Sequence, residues 1–270
     1  MRVSRSCRAA PAAGLLGALA LVATGGCWPA GMTGAGPPSS TGTPVASSPS
    51  YSPAPSSPSP SLAPSPPPSR ILTRAAPRSG PGTFRYVSTA GAVLGRAGPI
   101  RRFRLGLESN LTMLDPAQVA AQVDRVLGDP RSWIGGGAVR FQRVPPGAPY
   151  DFTVNLATAS TTTAMCDAGG VPGTNEYTSC RIGGHVVLNA DRWLTSVPYY
   201  TRAGQPLDTY RAYMINHEVG HQLGYGHERC PGSGRPAPVM EQQTLGLHGC
   251  TPNPWPYLNG SRYTGPPGSY

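Results

Sequence analysis

One eleven-residue stretch contains most of the residues in this sequence that could carry out chemistry. It reads HEVGHQLGYGH and includes His217, Glu218, His221 and His227. Residues four apart lie on the same side of an α-helix, so the imidazoles of His217 and His221 can bind one metal ion. Gly224 allows the chain to turn after the helix and to bring His227 back as a third ligand. Three neutral nitrogen ligands predict a catalytic site for one Zn²⁺ ion, with the fourth position open to water.

Glu218 directly follows the first of these histidines and is not itself a predicted ligand. Zinc polarises a carbonyl group and lowers the pKa of water toward about 7, and a carboxylate beside it can move a proton from water to a leaving amine. The spacing therefore predicts that Glu218 is the general base of an enzyme that hydrolyses amide bonds. The competing interpretation is a helix whose histidines face solvent or are satisfied in the core.

The helix that must position these residues has its own sequence signals. We expect Asp208 to cap its N-terminus and Gly224 to end it. Ile215, Val219 and Leu223 fall on the face opposite the histidines, which predicts packing against a sheet on one side and a cleft on the other.

The rest of the domain alternates between strand and helix patterns. Residues 100–109 alternate apolar and polar side chains, as a half-buried strand does. Asp115 and Pro116 predict the start of a helix that ends at Gly128. Further strands are expected at 138–144, 150–156 and 185–189, with a long loop at 157–184. The order predicts a mixed α/β (α+β) single domain over residues 83–270, with one sheet backed by two helices and an irregular C-terminal part.

The N-terminal part predicts export. Residues 1–26 place basic residues before a short apolar run at 15–23, which is typical of a signal peptide and too short to span a bilayer. Small residues then precede Cys27, which favours a lipid-anchored lipoprotein, although cleavage after Ala20 would release a soluble protein. Residues 27–82 are rich in Pro and Ser, which predicts a disordered stalk.

The distribution of charge and the number of cysteines bear on the class of protein and on its disulfides. All 22 basic residues are Arg, and six of them precede residue 83, so the domain carries only a modest positive excess. This distribution argues against a nucleic-acid-binding protein. Four cysteines fall in the domain, and we favour the pairs Cys166–Cys180 and Cys230–Cys250, because each closes a short local loop in an exported chain. A four-cysteine zinc site is the alternative, but neither pair has the spacing that such sites use.

The stretch from His217 to His227 resembles the extended zinc motif of the metzincin metalloproteases. Those enzymes carry a methionine in a tight turn beneath the zinc, and Met240 in Pro238-Val239-Met240 matches it. The resemblance implies a twisted mixed sheet with an active-site helix and an irregular C-terminal subdomain. Some metzincins place a tyrosine two residues after the methionine, where this chain has Gln242. Stabilisation of the oxyanion would then depend on the zinc ion and on another donor, either Gln242 or a backbone amide.

Residues 83–270 also resemble a domain-of-unknown-function family of exported actinobacterial proteins. We therefore expect an exported zinc metallopeptidase or related amide hydrolase, monomeric and held at the cell surface. Its substrate would be a peptide, a protein or a cell-wall peptide. The alternative is a zinc-containing cell-surface module that binds partners or organises the wall with little or no catalysis.

Overall fold

The computed structural model of this chain describes residues 75–270. The predicted signal peptide, Cys27 and most of the predicted stalk lie outside the described residues. Within the described part, the Arg78 guanidinium pairs with Glu176 at 2.6 Å. The backbone carbonyl of Arg78 accepts a hydrogen bond from the amide of Ser160 at 2.9 Å. The chain therefore already packs against the domain before residue 83.

Six strands form one mixed sheet, and the sequence predicts four of them, at 100–109, 138–144, 150–156 and 185–189. They are β1 (Phe84–Tyr86), β2 (Ile100–Glu108), β3 (Arg140–Arg143), β4 (Phe152–Ala157), β5 (Cys180–Ile182) and β6 (His185–Asn189). β2, β4 and β6 are parallel neighbours, and β5 lies antiparallel to β6 at one edge. At the other side, β1 runs antiparallel to one end of β2 and β3 runs parallel to its other end. The predicted mixed α/β fold class is confirmed.

The longer helices cover this sheet. The helices are α1 (Pro116–Leu127), α2 (Ala159–Ala168), α3 (Ala190–Thr195), α4 (Pro198–Arg202) and α5 (Leu207–Gln222), with a 3-10 turn at Trp133–Gly136. α1 starts where predicted, because the Asp115 carboxylate accepts a hydrogen bond from the amide of Ala117 at 2.9 Å. The main core lies between α1, α5 and the alternate strand residues such as Leu105, Val154 and Leu188. After α5, the described chain is irregular except for a hairpin of β7 (Tyr257–Leu258) and β8 (Ser261–Arg262).

The prediction of a long loop at 157–184 is wrong, because this stretch contains α2 and the edge strand β5. A second apolar cluster forms on the opposite face of the sheet from α1 and α5, and its buried members are Ala157, Cys166, Cys180 and Val187. Burial of this cluster stabilises a helix whose three consecutive threonines are poor helix formers. The sheet is thus covered on both faces near β5.

The predicted cap of α5 is also wrong. The residue before the helix is Pro206, and Asp208 lies in the first turn, where it pairs with Arg211 at 2.9 Å instead of capping a backbone amide. Its carboxylate still lies near the positive N-terminal end of the helix.

Two disulfides are present, Cys166–Cys180 and Cys230–Cys250, the pairs that the sequence favours. Disulfides are typical of proteins exported to an oxidising compartment. Within residues 75–270, every helix is too short or too polar to cross a bilayer.

Candidate metal centre

Helix α5 holds the first two histidines rigidly against the core. Asn216, the residue before His217, is fully buried. Its side-chain amide donates to the carbonyl of Pro254, and its side-chain oxygen accepts from the Ser132 hydroxyl at 2.7 Å. The backbone carbonyl of Asn216 accepts from the Trp133 indole at 2.8 Å. Ile215 and Val219 are fully buried on the core side, as predicted, and Leu223 is partly buried.

Gly220 lets the helix approach its neighbours closely. A Cβ at this position would overlap Met240 Sδ and the indole ring of Trp133, so a larger residue would push the helix away from both. The glycine inside the HEVGH motif is therefore required by packing.

The turn after α5 brings the third histidine back to the other two. Gly224 has a φ of +96°, which favours glycine and ends the helix in the way the sequence predicts. The Nε2 atom of His221 lies 3.2 Å from Nε2 of His217 and 3.1 Å from Nε2 of His227. Three ring nitrogens thus face one common point.

Each histidine is oriented by a hydrogen bond at its other ring nitrogen. Nδ1 of His217 donates to the carbonyl of Val239 at 2.8 Å, and Nδ1 of His221 donates to the carbonyl of Tyr225 at 2.8 Å. Nδ1 of His227 is 2.9 Å from the hydroxyl of Ser269. A carbonyl can only accept, so the neutral rings of His217 and His221 carry their protons on Nδ1 and leave Nε2 unprotonated. Such outer partners fix the orientation of metal-binding histidines in general.

Burial also keeps the three rings neutral. It lowers the pKa of His217 well below its ordinary range, and the neighbouring histidines lower it further. Burial lowers the pKa of His227 to about 4. Burial also lowers the pKa of His221, and the positive charge of Arg181 lowers that pKa further. Neutral imidazoles are the form that binds a metal ion.

The donor set fits zinc. Zn–N bonds of about 2.0–2.1 Å place the ligands of a tetrahedral site about 3.3 Å apart, close to the distances of 3.2 and 3.1 Å from His221 Nε2 to the Nε2 atoms of His217 and His227. Two unprotonated nitrogens at 3.2 Å repel each other unless a cation lies between them. A second group of Cys230, Glu241 and Cys250 also clusters, but its two sulfurs are bonded to each other.

The Met240 segment lies against the histidines as a tight turn. The amide of Glu241 donates to the carbonyl of Pro238 at 2.9 Å, which closes the turn around Val239 and Met240. Met240 is fully buried, and the carbonyl of Val239 is the group that orients His217. The carbonyl of Met240 in turn accepts from the amide of Glu228 at 3.1 Å, next to His227.

Glu218 is a buried carboxyl group with an unused oxygen. Only 5% of the residue is exposed, and its Oε2 atom is buried without a hydrogen-bond partner in residues 75–270. Burial raises the pKa of Glu218 to about 8. The side chain faces the same cleft as the three histidines.

That cleft has a volume of about 350 Å³ and lies between α5, the edge of the sheet at β5 and the segment after Met240. Arg181 on β5 and Gln242 both line it. Tyr213 lies at the base, where its hydroxyl donates to the carbonyl of Glu241 at 3.0 Å. Its ring centre is 5.3 Å from that of His217, so it supports the histidine by packing.

Two other histidines lie away from this cluster. His185 is on β6, where its Nδ1 atom is 2.7 Å from the hydroxyl of Thr153. His248 contacts Glu241 at 3.2 Å and stacks on the ring of Tyr270. Ser269 and Arg181 were not anticipated at the site, and no sequence signal points to Ser269. The alternation of side chains along β5 would have placed Arg181 opposite the disulfide cysteine, had the strand been predicted.

The chain belongs to a family of proteins of unknown function (DUF3152), which matches it over residues 72–250. The match includes His217, Glu218, His221, His227 and Met240, as well as all four domain cysteines. Neither a search of curated proteins nor a search of solved structures gives a match.

Proposed function

We propose that this protein is an exported zinc-dependent endopeptidase or related amide hydrolase. The observation that carries the proposal is the convergence of three Nε2 atoms at 3.1 and 3.2 Å, with the outer nitrogens of His217 and His221 held by carbonyls. His217, His221 and His227 would bind the ion, which supplies Lewis acidity that polarises a carbonyl and makes water a better nucleophile. The resemblance of the motif and of the Met240 turn to metzincins supports the same class.

Glu218 acts as the general base in this proposal. Its side chain lines the cleft, and the charge of a bound cation would favour the ionised form of the carboxyl group. In that form it would accept a proton from water and return it to the departing amine. The buried setting holds the carboxyl group in one position beside the histidines. Gln242 lines the same cleft, and its side-chain amide is a candidate donor to the oxyanion.

The proposed location is the outer face of the plasma membrane, with a lipid on Cys27 and a stalk that carries the domain. Replacement of Cys27 by Ala should release the protein from membranes into the medium. Wild-type protein that is found only in the medium would show that the lipid anchor does not exist, without bearing on the zinc site.

The function is tested by measuring zinc content and cleavage of a broad panel of peptides and muropeptides. Wild type should hold about one zinc per chain and cleave some members. His217→Ala should lose both zinc and activity, because it removes one of three ligands. Glu218→Gln should keep the zinc and lose at least about 100-fold in turnover, the lower end of general-base contributions.

Two results would count against this function. Equal cleavage by wild type and Glu218→Gln would remove Glu218 from the mechanism. Zinc-loaded wild type that cleaves no member of the panel would instead favour a zinc-containing surface module that binds without catalysis.

A further inference from the structure

The cleft beside the metal centre contains one cationic side chain among the described residues that line it. Arg181 is the middle residue of the edge strand β5, between Cys180 and Ile182. Side chains alternate across a strand. Cys180 and Ile182 pack with α2 on one face of the sheet, so Arg181 points to the other face, toward α5 and the histidines.

The guanidinium of Arg181 is held in place without being neutralised. Its Nε atom donates to the side-chain oxygen of Gln222 at 2.9 Å, and Gln222 directly follows His221 on α5. No carboxylate in residues 75–270 forms an ion pair with it. By contrast, Arg143 pairs with Asp124 at 2.8 Å and Arg262 pairs with Glu228 at 3.0 Å.

This arrangement leaves the terminal nitrogens of the Arg181 guanidinium without a carboxylate partner in the described part of the chain. An amide that accepts from Nε orients the planar guanidinium while its terminal nitrogens stay available. Guanidinium groups bind carboxylates with paired hydrogen bonds, and such charge-assisted bonds are stronger than neutral ones. The acid that shares the cleft, Glu218, is assigned to proton transfer and forms no ion pair with Arg181.

We propose that Arg181 binds a carboxylate of the peptide substrate close to the scissile bond, so that the enzyme selects acidic peptides. The proposal rests on the proposed hydrolase function and adds the substrate class to it. The carboxylate can come from an Asp or Glu side chain or from the C-terminus of the peptide. Arg181 is thus a specificity residue and takes no part in proton transfer.

The test uses the zinc-loaded full-length protein and four pools of ten-residue peptides labelled with an uncharged dye. The pools carry either Glu or Gln at the centre, end in either a free or an amidated C-terminus, and contain only uncharged residues elsewhere. Cleavage is measured with wild type, Arg181→Gln and Arg181→Lys. Arg96→Gln is the matched control, because Arg96 is exposed and lies outside the cleft.

We expect wild type to cleave one type of acidic pool at least about ten-fold faster than its neutral counterpart. Preference for central Glu would identify a side-chain carboxylate, and preference for the free C-terminus would identify the terminal one. Arg181→Gln should abolish the preference and Arg181→Lys should restore part of it, while Arg96→Gln should leave it unchanged. Arg181→Glu, tested with one additional pool that carries a central Lys, should prefer that pool over the pools with a central Glu.

Binding of the same pools to Glu218→Gln, followed by fluorescence anisotropy, separates this proposal from the hydrolase function. Acidic preference in binding that depends on Arg181, with no cleavage by wild type, would support the carboxylate site and refute the hydrolase. Cleavage with equal rates on acidic and neutral pools would refute the role of Arg181 and leave the hydrolase standing. A preference for acidic pools that persists in Arg181→Gln, with an unchanged melting temperature, would also refute the role of Arg181.

Discussion

Two buried glutamates of this domain are in opposite situations. Glu108, at the end of β2, is fully buried, and its oxygens accept from the amides of Gly82 at 2.8 Å and Thr158 at 2.7 Å and from the hydroxyl of Thr161 at 2.7 Å. Glu218, on α5, is almost as deeply buried but has an oxygen that no group of the described part of the chain hydrogen-bonds. Burial of an unpaired polar group is costly, so such a group indicates a role other than stability.

The difference shows how to distinguish a structural carboxylate from a reactive one. Glu108, on β2, joins the segment just before β1 to the start of α2 through its three hydrogen bonds, and every partner belongs to the framework of the fold. The partners expected of Glu218 are a water molecule and a substrate. Burial alone does not separate the two residues, whereas the number of hydrogen bonds does.

The largest effect on stability is expected at Glu108. Glu108→Ala leaves the buried amide of Thr158, the buried hydroxyl of Thr161 and the partly buried amide of Gly82 without an acceptor, which should lower the free energy of unfolding by about 4 kcal/mol. Urea unfolding of the purified variant measures this. Glu108→Gln keeps one oxygen and should lose less. Loss of under about 1 kcal/mol in the Ala variant would mean that water replaces the carboxylate.

The next effect concerns the disulfide that closes the segment of the Met240 turn. Its cysteines are 20 residues apart, and removing both as Cys230→Ser/Cys250→Ser should cost about 3 kcal/mol in the chain-entropy model. Because the enclosed turn orients His217, we also expect faster loss of zinc to a chelator. Cys166→Ser/Cys180→Ser is the control, with a similar stability loss and little change in zinc retention. Equal zinc loss in the two variants would contradict the specific role of the turn.

Glu241 is an intermediate case, since one oxygen lies 3.2 Å from Nδ1 of His248 and the other is buried and finds no partner among the residues that the structure describes. Burial raises its pKa to about 7. A raised pKa favours the neutral form in the folded state, so this group's contribution to stability is complete below about pH 4.5 and is lost as the pH rises through 7.

Between pH 5 and pH 8, wild type should therefore lose roughly 2 kcal/mol relative to Glu241→Gln. Thermal or urea unfolding across this range, on metal-free protein, measures the difference. Asp167→Asn removes an exposed carboxyl group, and its free energy of unfolding should depend on pH as that of wild type does. Parallel profiles for wild type and Glu241→Gln would mean that the ion pair with His248 offsets the burial.

The smallest effect on stability is expected at Glu218 itself. Glu218→Gln removes no side-chain hydrogen bond within residues 75–270. At pH 4.5, where burial keeps the Glu218 carboxyl group of the folded protein neutral, the free energy of unfolding of the metal-free variant should therefore change by less than about 1 kcal/mol. The same urea experiment as for Glu108 provides the comparison. A loss above about 2 kcal/mol would make Glu218 a structural acceptor and would remove the contrast between the two residues.

The sequence predicted the parts of this structure that depend on local spacing. The position of α1 followed from Asp115 and Pro116, and the facing of His217 and His221 followed from helical geometry. α2 was missed because its threonines disfavour a helix locally and its stability comes from packing on the sheet. The contacts of Arg181 with Gln222 and of Ser269 with His227 join residues 41 and 42 positions apart, so neither leaves a local pattern.

The contact between Ser269 and His227 also sets an order in time. Because a chain is made and exported from its N-terminus, α5 and its two histidines can fold before residue 269 has emerged. The third ring gains its hydroxyl partner only afterwards, when Gly268 also donates to the carbonyl of His227 at 2.9 Å. The proposed metal centre would therefore gain the hydroxyl partner of His227 only after residue 269 has been synthesised.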